Sequence, residues 1–394
     1  MSWPRVKLRE LITLTGGHAF KSGDFEDSGI PLIRIGTANS GVFKTNDFVF
    51  LPQEYKSKYS KYLVMPKDLL ITLTGTVGKG DYGNVCVATG VYDSYLLNQR
   101  VAKINIKSSN LYKRYLYLFL ATPEVKRNLT SLSRGVRQAN IKNDDILDLE
   151  IPLPSLAEQK RIAAILDKAE AIRRKRQQAI QLADDFLRSV FLDMFGDPVT
   201  NPKGWEVKPI GKLCEVNSGS TPSRKNEHYY KGNIPWVKTG EVDGYVIVDT
   251  EEHISKDAIK ETSCKLNPKG SLLIAMYGQG KTRGKVGILG VDAATNQACA
   301  VLKPSNMINM TYLYHYIKLS YEKLRELGQG AGQPNLNSRL VKEFEILIPN
   351  EDDQEKFVII AEKIETLKSA FDLGKTQTNI NFNSLSQKAF AGEL

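Results

Sequence analysis

Two short patterns in the chain have the residue types that catalysis would need. Asp197 with Glu206-Val207-Lys208 spells an acid–acid–lysine triplet, in which the two carboxylates of a nuclease could hold a metal ion. Gly280-Lys281-Thr282 matches the end of a phosphate-binding loop, but Ala275 stands where that loop needs glycine. The Arg283-Gly284 that follows is also a poor start for the required helix. A nucleotide-binding loop is therefore not expected, while the triplet leaves a stand-alone metal-dependent nuclease as an alternative.

The cysteines and histidines do not cluster. The four cysteines form no Cys-x-x-Cys pair, and the four histidines are isolated along the chain. We therefore expect no metal site, no redox centre and no catalytic residue. The N-terminus lacks the apolar core of a signal peptide, and no run of 18 apolar residues occurs, so a cytoplasmic location is expected.

Several glycine-rich loops indicate a different chemistry, the reading of DNA. Glycine permits close backbone approach, while arginine, lysine, glutamine and threonine can face phosphates or base edges. The candidate DNA-binding residues of the first half are Thr74, Thr76, Lys79, Arg134, Arg137 and Gln138. Those of the second half are Thr221, Arg224, Lys225, Tyr277, Gln279, Lys281, Thr282, Arg283, Lys285 and Gln333. Because corresponding loops differ in sequence, two different half-sites and an asymmetric target are predicted.

An internal repeat must position these loops. Ile151-Pro152-Leu153-Pro154 with Gln159 is echoed, 195 residues later, by Ile346-Leu347-Ile348-Pro349 with Gln354. Shorter echoes join Gly17 to Gly219, Ile30–Arg34 to Ile234–Lys238, and Asn98-Gln99 to Asn296-Gln297. The chain is therefore two copies of one unit, each a mixed segment followed by a helical one.

The mixed segments, residues 1–152 and 198–349, contain short β-like runs and are predicted to be α+β domains. The helical segments, residues 153–197 and 350–394, carry heptad repeats that predict two long helices paired as an antiparallel coiled coil. The predicted seam is Ile162, Ile165, Ala169, Ile172, Ala179, Phe186 and Val190 in the first helix, and Phe357, Ile360, Ile364, Leu367 and Phe371 in the second. The heptad weakens afterwards, at Gly374, Thr378 and Asn381.

The positive charge lies on the mixed segments. The chain carries a net charge of +10, of which +7 falls on residues 1–152 and +5 on residues 198–349. The two helical segments together carry −2. This distribution favours two basic binding domains on a spacer over a basic helix at a membrane surface.

A family resemblance rests on the helical segments. The run Ile151-Pro152-Leu153-Pro154-Ser155-Leu156-Ala157-Glu158-Gln159-Lys160-Arg161 resembles the start of the central conserved region of type I restriction-modification specificity (S) subunits. The ending Ser386-Gln387-Lys388-Ala389-Phe390-Ala391-Gly392-Glu393-Leu394 resembles that family's C-terminal signature. The duplicated Ile-Pro and Gly…Gln…Asn elements also fit its target-recognition domains. The resemblance implies a first recognition domain (1–152), a central conserved helix (153–197), a second recognition domain (198–349) and a C-terminal conserved helix (350–394).

The resemblance also implies a division of labour. Each recognition domain would read one half of a bipartite site on double-stranded DNA, and the helices would set the gap and dock two methyltransferase (M) subunits. Restriction/translocase (R) subunits would add cleavage. S-adenosylmethionine, ATP and Mg would belong to those partners, leaving this chain without cofactors or catalysis. Besides the nuclease, a coiled-coil protein scaffold that never touches DNA is the remaining alternative.

Overall fold

The computed structural model of this chain describes residues 3–135, 138–278, 280–328 and 335–394, and for residues 372–380 the backbone alone. The candidate residues Arg137, Gln279 and Gln333 lie outside the described residues. The chain forms two compact units, one of residues 1–176 with 374–394, and one of residues 177–373. Within the described ranges, no helix is long and apolar enough to cross a membrane.

The first unit holds twelve of the described strands. They are β1 (Arg5–Lys7), β2 (Ile12–Gly16), β3 (Ile30–Ile33), β4 (Val49–Leu51), β5 (Leu63–Val64), β6 (Leu69–Thr72), β7 (Thr74–Thr76), β8 (Val85–Val87), β9 (Tyr95–Leu97), β10 (Val101–Ile106), β11 (Gln138–Asn140) and β12 (Glu150–Pro152). The helices are α1 (Leu8–Leu11), α2 (Ile35–Ala38), α3 (Tyr55–Lys58), α4 (Lys113–Leu120), α5 (Pro123–Ser131), α6 (Asn143–Leu147) and α7 (Leu156–Phe195), which continues into the second unit. One sheet has the order β2-β10-β6-β8 and a second the order β4-β3-β9-β5, with β3 and β9 parallel.

The second unit repeats this plan. Its strands are β13 (Glu206–Pro209), β14 (Val216–Ser218), β15 (Ile234–Val237), β16 (Val246–Ile247), β17 (His253–Ile254), β18 (Leu272–Ala275), β19 (Val286–Leu289), β20 (Ala294–Thr295), β21 (Cys299–Leu302) and β22 (Glu345–Ile348). Its helices are α8 (Lys256–Glu261), α9 (Met310–Leu319), α10 (Tyr321–Glu326), α11 (Ser338–Glu343) and α12 (Glu351–Ala391), which continues into the first unit. The sheet β14-β21-β18-β19-β16 corresponds to β2-β10-β6-β8, and β17-β15-β20 to β4-β3-β9.

The predicted fold class is confirmed, and the apolar runs become the expected elements. Leu69–Thr72 forms β6, and its echo at Leu272–Ala275 forms β18, and both strands are fully buried. Two tyrosine-containing segments form α4 and α9, and their Tyr115 and Tyr312 are fully buried in the two cores. Each domain thus contains β-sheets with parallel and antiparallel pairs, and helices pack against these sheets.

A buried glutamine holds the start of each long helix against its domain. The Gln159 side chain accepts a hydrogen bond from the Tyr112 backbone N–H at 2.8 Å and donates to the Asn110 and Pro154 carbonyls at 2.8 and 2.9 Å. Gln354 repeats the arrangement, accepting from the Asn309 N–H and donating to the Pro349 carbonyl. The repeated Pro-x4-Gln pattern therefore satisfies backbone groups that the domain core would otherwise bury unpaired.

The two long helices run antiparallel within each unit. In the first unit, Arg161 donates to the Leu394 carbonyl at 2.8 Å, and the Arg173 guanidinium lies 5.1 Å from the Phe382 ring. In the second unit, Lys368 pairs with Asp184 at 2.9 Å and Phe357 packs on Phe191. As residue numbers rise along α7, those of the contacts on α12 fall. The α12 backbone stays helical through Gly374, although the heptad weakens there.

Four of the twelve predicted seam residues are exposed, and for two of them, Phe186 and Leu367, the next residue along the helix is buried instead. Ile172, Phe186 and Leu367 are 51, 50 and 54% exposed, and Phe371 is 36% exposed, whereas Leu166, Ile180, Leu187, Ala361 and Lys368 are buried. Ile162 and Phe357 are buried as predicted, and Ile165, Ala169, Ala179, Val190, Ile360 and Ile364 are half-buried. The heptad assignment placed each helix against one partner only. In the structure the two ends of each helix also pack on domain cores. Ile162 and Leu166 of α7 and Ala389 of α12 join the core of the first unit, whereas Leu187 of α7 and Phe357 of α12 join that of the second.

The corrected face can be tested with two adjacent side chains. Replacing Leu187, which is 3% exposed, by alanine should lower the free energy of unfolding by about 2–5 kcal/mol, because a cavity forms in the core. Replacing its neighbour Phe186 by alanine should cost about 1 kcal/mol or less. Urea denaturation followed by circular dichroism measures both. If Phe186→Ala lowered the free energy of unfolding more than Leu187→Ala, the original heptad assignment would be supported instead.

The glutamine junction gives a second test. Gln159→Ala leaves one N–H and two carbonyls without their partner, so we expect unfolding to become easier by about 3 kcal/mol. Gln178→Ala, at an exposed position of the same helix, should change stability by no more than about 0.5 kcal/mol. Equal effects of the two substitutions in the same denaturation assay would show that the junction has no special role.

Candidate nucleic-acid interface

A polar groove crosses one edge of the first recognition domain. Its larger part has a volume of about 560 Å³ and is lined by Arg34, Ile35, Gly36, Thr37, Lys44, Asn46, Asp47, Asn98, Gln99 and Arg100. A smaller part of about 290 Å³ is lined by Ile35, Asn39, Thr74, Gly75, Thr76, Asp81, Arg100 and Gln138. Ile35 and Arg100 line both parts, so the two are adjacent and are treated together. We call the two parts the first-domain groove.

The cations of this groove are exposed and available to a ligand. Within the described part of the chain, the Arg34, Lys44 and Arg100 side chains have no ion pair and no side-chain hydrogen bond. The groove therefore combines free positive charge with the amide groups of Gln99 and Gln138. Such a surface can bind phosphates through the cations and base edges through arginine and the amides.

A close backbone crossing positions Arg100. The Gly17 N–H donates to the Val101 carbonyl at 3.2 Å, and a Cβ atom on Gly17 would stand 2.2 Å from the Asn98 carbonyl oxygen. The Asn98 N–H donates to Ile33, and Asn98 Oδ1 accepts from the Arg100 N–H. Only glycine fits beneath this loop, which explains why Gly17 and Asn98 recur together in the repeat.

Three of the predicted residues meet in the groove. The pairing of β7 with β11 places Thr76 opposite Gln138 and Thr74 opposite Asn140. The Thr76 N–H donates to Asp81 at 2.7 Å, which closes the turn after β7. Thr74 Oγ1 is buried without a hydrogen-bond partner.

Two other predicted residues of this domain do not line the groove. Lys79 is exposed in the turn after β7, and Arg134 lies 3.7 Å from Asp145 in an ion pair. Their assignment as DNA contacts stays a prediction.

The second recognition domain has the same crossing with different side chains. The Asn296 N–H donates to Val237, and Asn296 Oδ1 accepts from the Ala298 N–H, as Asn98 does with Ile33 and Arg100. Ala298 therefore stands where the first domain has Arg100. Lys238 corresponds to Arg34, but its ammonium is bound by Glu251 and Glu252 at 2.9 and 3.1 Å.

The Lys238 pairing belongs to a cluster that contains the predicted residue Arg224. The Arg224 guanidinium forms two hydrogen bonds to Glu252 and lies 4.2 Å from the Tyr230 ring. The Arg224 hydrogen bonds, followed by those of Lys238, hold the pKa of the Glu252 carboxyl at about 2. Near this cluster, Thr221 bonds to the Gln297 side chain and Lys225 is exposed.

The remaining candidates lie on the loop between β18 and β19. Tyr277 and Lys281 are exposed, Thr282 is partly buried, and the Tyr321 hydroxyl donates to the Lys281 carbonyl. Lys285 pairs with Asp243 at 2.7 Å. The Arg283 carbonyl accepts from Arg325, while its own Nε is buried without a partner. This loop is tied to α10, and the role of its side chains in DNA binding stays a prediction.

The geometry gives no support to the nuclease alternative. Glu206 pairs with Lys208 at 2.9 Å at the start of β13, and Asp197 accepts from the Val199 and Thr200 N–H groups in a turn. Both carboxylates thus have local structural roles. Among the described residues, no three His, Cys, Asp or Glu side chains are grouped to hold a metal ion.

Sequence reasoning missed Arg34, Lys44, Gln99 and Arg100. Two of them carried a signal, since Arg34 and Gln99 lie in repeated segments where the repeat preserves polar residues within two positions of the end of a buried strand. Lys44 and Arg100 carried none, because their place in the groove depends on tertiary contacts.

Comparison with known proteins assigns the family. The family model described as "Type I restriction modification DNA specificity domain" matches residues 2–182 and 202–381. The EcoBI specificity subunit of Escherichia coli is 25% identical over all of this chain and 86% of its own length. The MjaVIII specificity subunit of Methanocaldococcus jannaschii is 28% identical, but the match covers 48% of this chain and less than half, 45%, of that relative.

Solved structures show the same fold. The type I S subunit from M. genitalium superposes with a TM-score of 0.62 at 16% identity, covering 99% of this chain and 96% of that one. A chain from a study of type I complex assembly and conformational transition gives 0.54 at 17% identity, covering 100% and 98%. Since two family domains together span most of the sequence, the chain belongs to the type I restriction-modification DNA specificity family and carries two copies of its domain.

Proposed function

We propose that this chain is the DNA-recognition subunit of a type I restriction-modification complex and carries no catalytic site of its own. The first-domain groove reads one half of a bipartite site, and the corresponding edge of the second domain reads the other. The observation that supports this most directly is the groove itself, where three cations without an ion-pair partner among the described residues lie beside the amides of Gln99 and Gln138. The replacement of Arg100 by Ala298 in the second domain supports two different half-sites.

The helices would set the gap between half-sites and dock two methyltransferase subunits. In the second unit, Leu182, Phe186, Ile359 and Leu367 expose half or more of their surface on α7 and α12. Large exposed apolar side chains on long helices are candidates for a protein interface. A docking role for the helices is therefore favoured over a purely internal spacer.

The chemistry would belong to the partners. Methyltransferase subunits would bind S-adenosylmethionine, flip the target adenine and methylate it, and restriction/translocase subunits would use ATP and Mg. This chain would hold the DNA in register for them, in the cytoplasm.

Arg34 and Arg100 test the groove directly. Each alanine substitution should weaken binding of a mixed-sequence duplex and reduce the slope of log affinity against log salt by about 0.9 if that side chain neutralises one phosphate. Fluorescence anisotropy across a salt series measures this. Arg127→Ala, which removes an exposed arginine of the same domain outside the groove, should leave the slope unchanged.

Other outcomes of this experiment are equally informative. If Arg34 and Arg100 contact bases instead, each substitution should weaken binding of the cognate duplex by about 1–3 kcal/mol. It should also relax the sequence specificity of methylation at one base position. Mapping methylated adenines in cells that carry the complete system would detect that change. If the unmodified chain binds no duplex at any salt, the scaffold alternative is correct.

Adjacent glycines test how the groove is positioned. Gly17→Ala should displace the Asn98–Arg100 loop and reduce DNA affinity about tenfold or more, because the new Cβ clashes with the Asn98 carbonyl. Gly16→Ala meets no atom within 4 Å and should leave affinity nearly unchanged. Circular dichroism would verify that both variants fold. If a folded Gly17→Ala variant bound DNA with unchanged affinity, the Asn98–Arg100 loop would have no role in DNA binding.

A further inference from the structure

The Arg224 cluster of the second domain has the form of an occupied anion site. The guanidinium carbon of Arg224 lies 4.2 Å from the Tyr230 ring centroid and 5.3 Å from that of Trp236. Both rings are held in place, because the Tyr230 hydroxyl donates to the Pro222 carbonyl and Trp236 Nε1 donates to the Ser220 carbonyl. Arg224 is therefore supported from below by a fixed aromatic surface, although its own side chain is exposed.

The Glu252 carboxylate occupies the part of Arg224 that a phosphate would bind. Arg224 Nη1 donates to Glu252 Oε2 at 2.5 Å and Nη2 donates to Oε1 at 3.1 Å. Lys238 Nζ donates to the same Oε1 at 3.1 Å. The two terminal nitrogens form the fork that binds phosphate oxygens in pairs. A glutamate that oriented Arg224 for base reading would instead leave this fork open.

The first domain shows that the scaffold does not require this carboxylate. In the pairing of β3 with β4, Ile30 lies opposite Leu51 and Leu32 opposite Val49. In the second domain Ile234 lies opposite Ile254, and the Trp236 N–H donates to the Glu252 carbonyl.

Glu252 thus stands at the position of Val49, and Glu251 at that of Phe48. Arg34, which corresponds to Lys238, has no ion-pair partner among the described residues. At this edge of the fold, the first domain therefore has a cation without a carboxylate partner, Arg34, whereas in the second domain the equivalent Lys238 is bound by glutamates.

We propose that Arg224 and Lys238 form a site for a DNA backbone phosphate, and that Glu252 fills this site in the free protein. The inference rests on the proposed function, since it assumes that this edge of the second domain meets DNA. A phosphate positioned by a correctly docked duplex would displace the carboxylate, whereas a loosely bound duplex would not. Glu252 would thereby lower affinity for non-cognate DNA at this half-site.

The electrostatics fit an exchange of anions. Because its pKa is about 2, the Glu252 carboxyl is ionised at any physiological pH and does not leave by protonation. Glu251, whose side chain is 76% exposed, holds Lys238 from the solvent side and adds to the competing negative charge. Displacement therefore requires another anion with oxygens that can bind both cations.

Glu252→Gln in the full chain tests the proposal. The substitution keeps the side-chain shape and removes the charge, so affinity for a mixed-sequence duplex should rise about fivefold, as expected for removal of one partly exposed ion pair. Glu227→Gln is the matched control, since it makes the same change of net charge in an exposed pair with Lys231. It should change affinity far less. Fluorescence anisotropy measures both variants, and circular dichroism checks their folding.

Arg224→Ala supplies the second arm. When it is combined with Glu252→Gln, Arg224→Ala should remove most of the gain in DNA affinity, because the guanidinium nitrogens that bind the phosphate are absent. A Glu252→Gln effect no larger than that of Glu227→Gln would overturn the proposal, and so would weaker binding, which would mean that Glu252 orients Arg224. If Arg34→Ala and Arg100→Ala weaken binding while Glu252→Gln does nothing, the proposed function stands and this inference fails. If the unmodified chain binds no DNA, both fail.

Discussion

The hydrogen bonds of Gln159 and Gln354 are the constraint on which the architecture depends. Each glutamine satisfies backbone groups at the junction where a domain ends and a long helix begins, and each is buried. The Tyr115 and Tyr312 hydroxyls add bonds to the carbonyls of Pro152 and Leu347 beside the same junctions. Because the helix start is fixed to the core in this way, the direction in which each helix leaves its domain is set by the domain itself.

The repeat made the fold predictable, while the detailed packing was not. The repeated pattern identified the β-like runs, the mixed domains and the antiparallel helix pair, since apolar periodicity depends on local sequence. The seam was misplaced at Ile172, Phe186 and Leu367 because a heptad does not show that a helix has two neighbours. Burial of Leu187 beside Phe191 depends on contact with the domain as well as with the other helix.

The candidate site was only partly predictable for a similar reason. Thr74, Thr76 and Gln138 could be selected because they lie in glycine-containing loops with suitable side chains. Arg100 could not, because its position in the groove follows from the crossing of Gly17 beneath Asn98, which joins residues 81 positions apart in the chain. The state of Arg224 was also hidden, since a free and an ion-paired arginine look the same in a sequence.

The exposed apolar side chains on the long helices have a consequence for the amount of this chain that can be made relative to its partners. Leu182 is 68% exposed and Phe186 is half exposed, a surface that water disfavours unless another protein covers it. Chains made in excess of such a protein would offer these side chains to one another. We therefore expect the ratio of this chain to its partners during synthesis to decide whether it remains dispersed or self-associates.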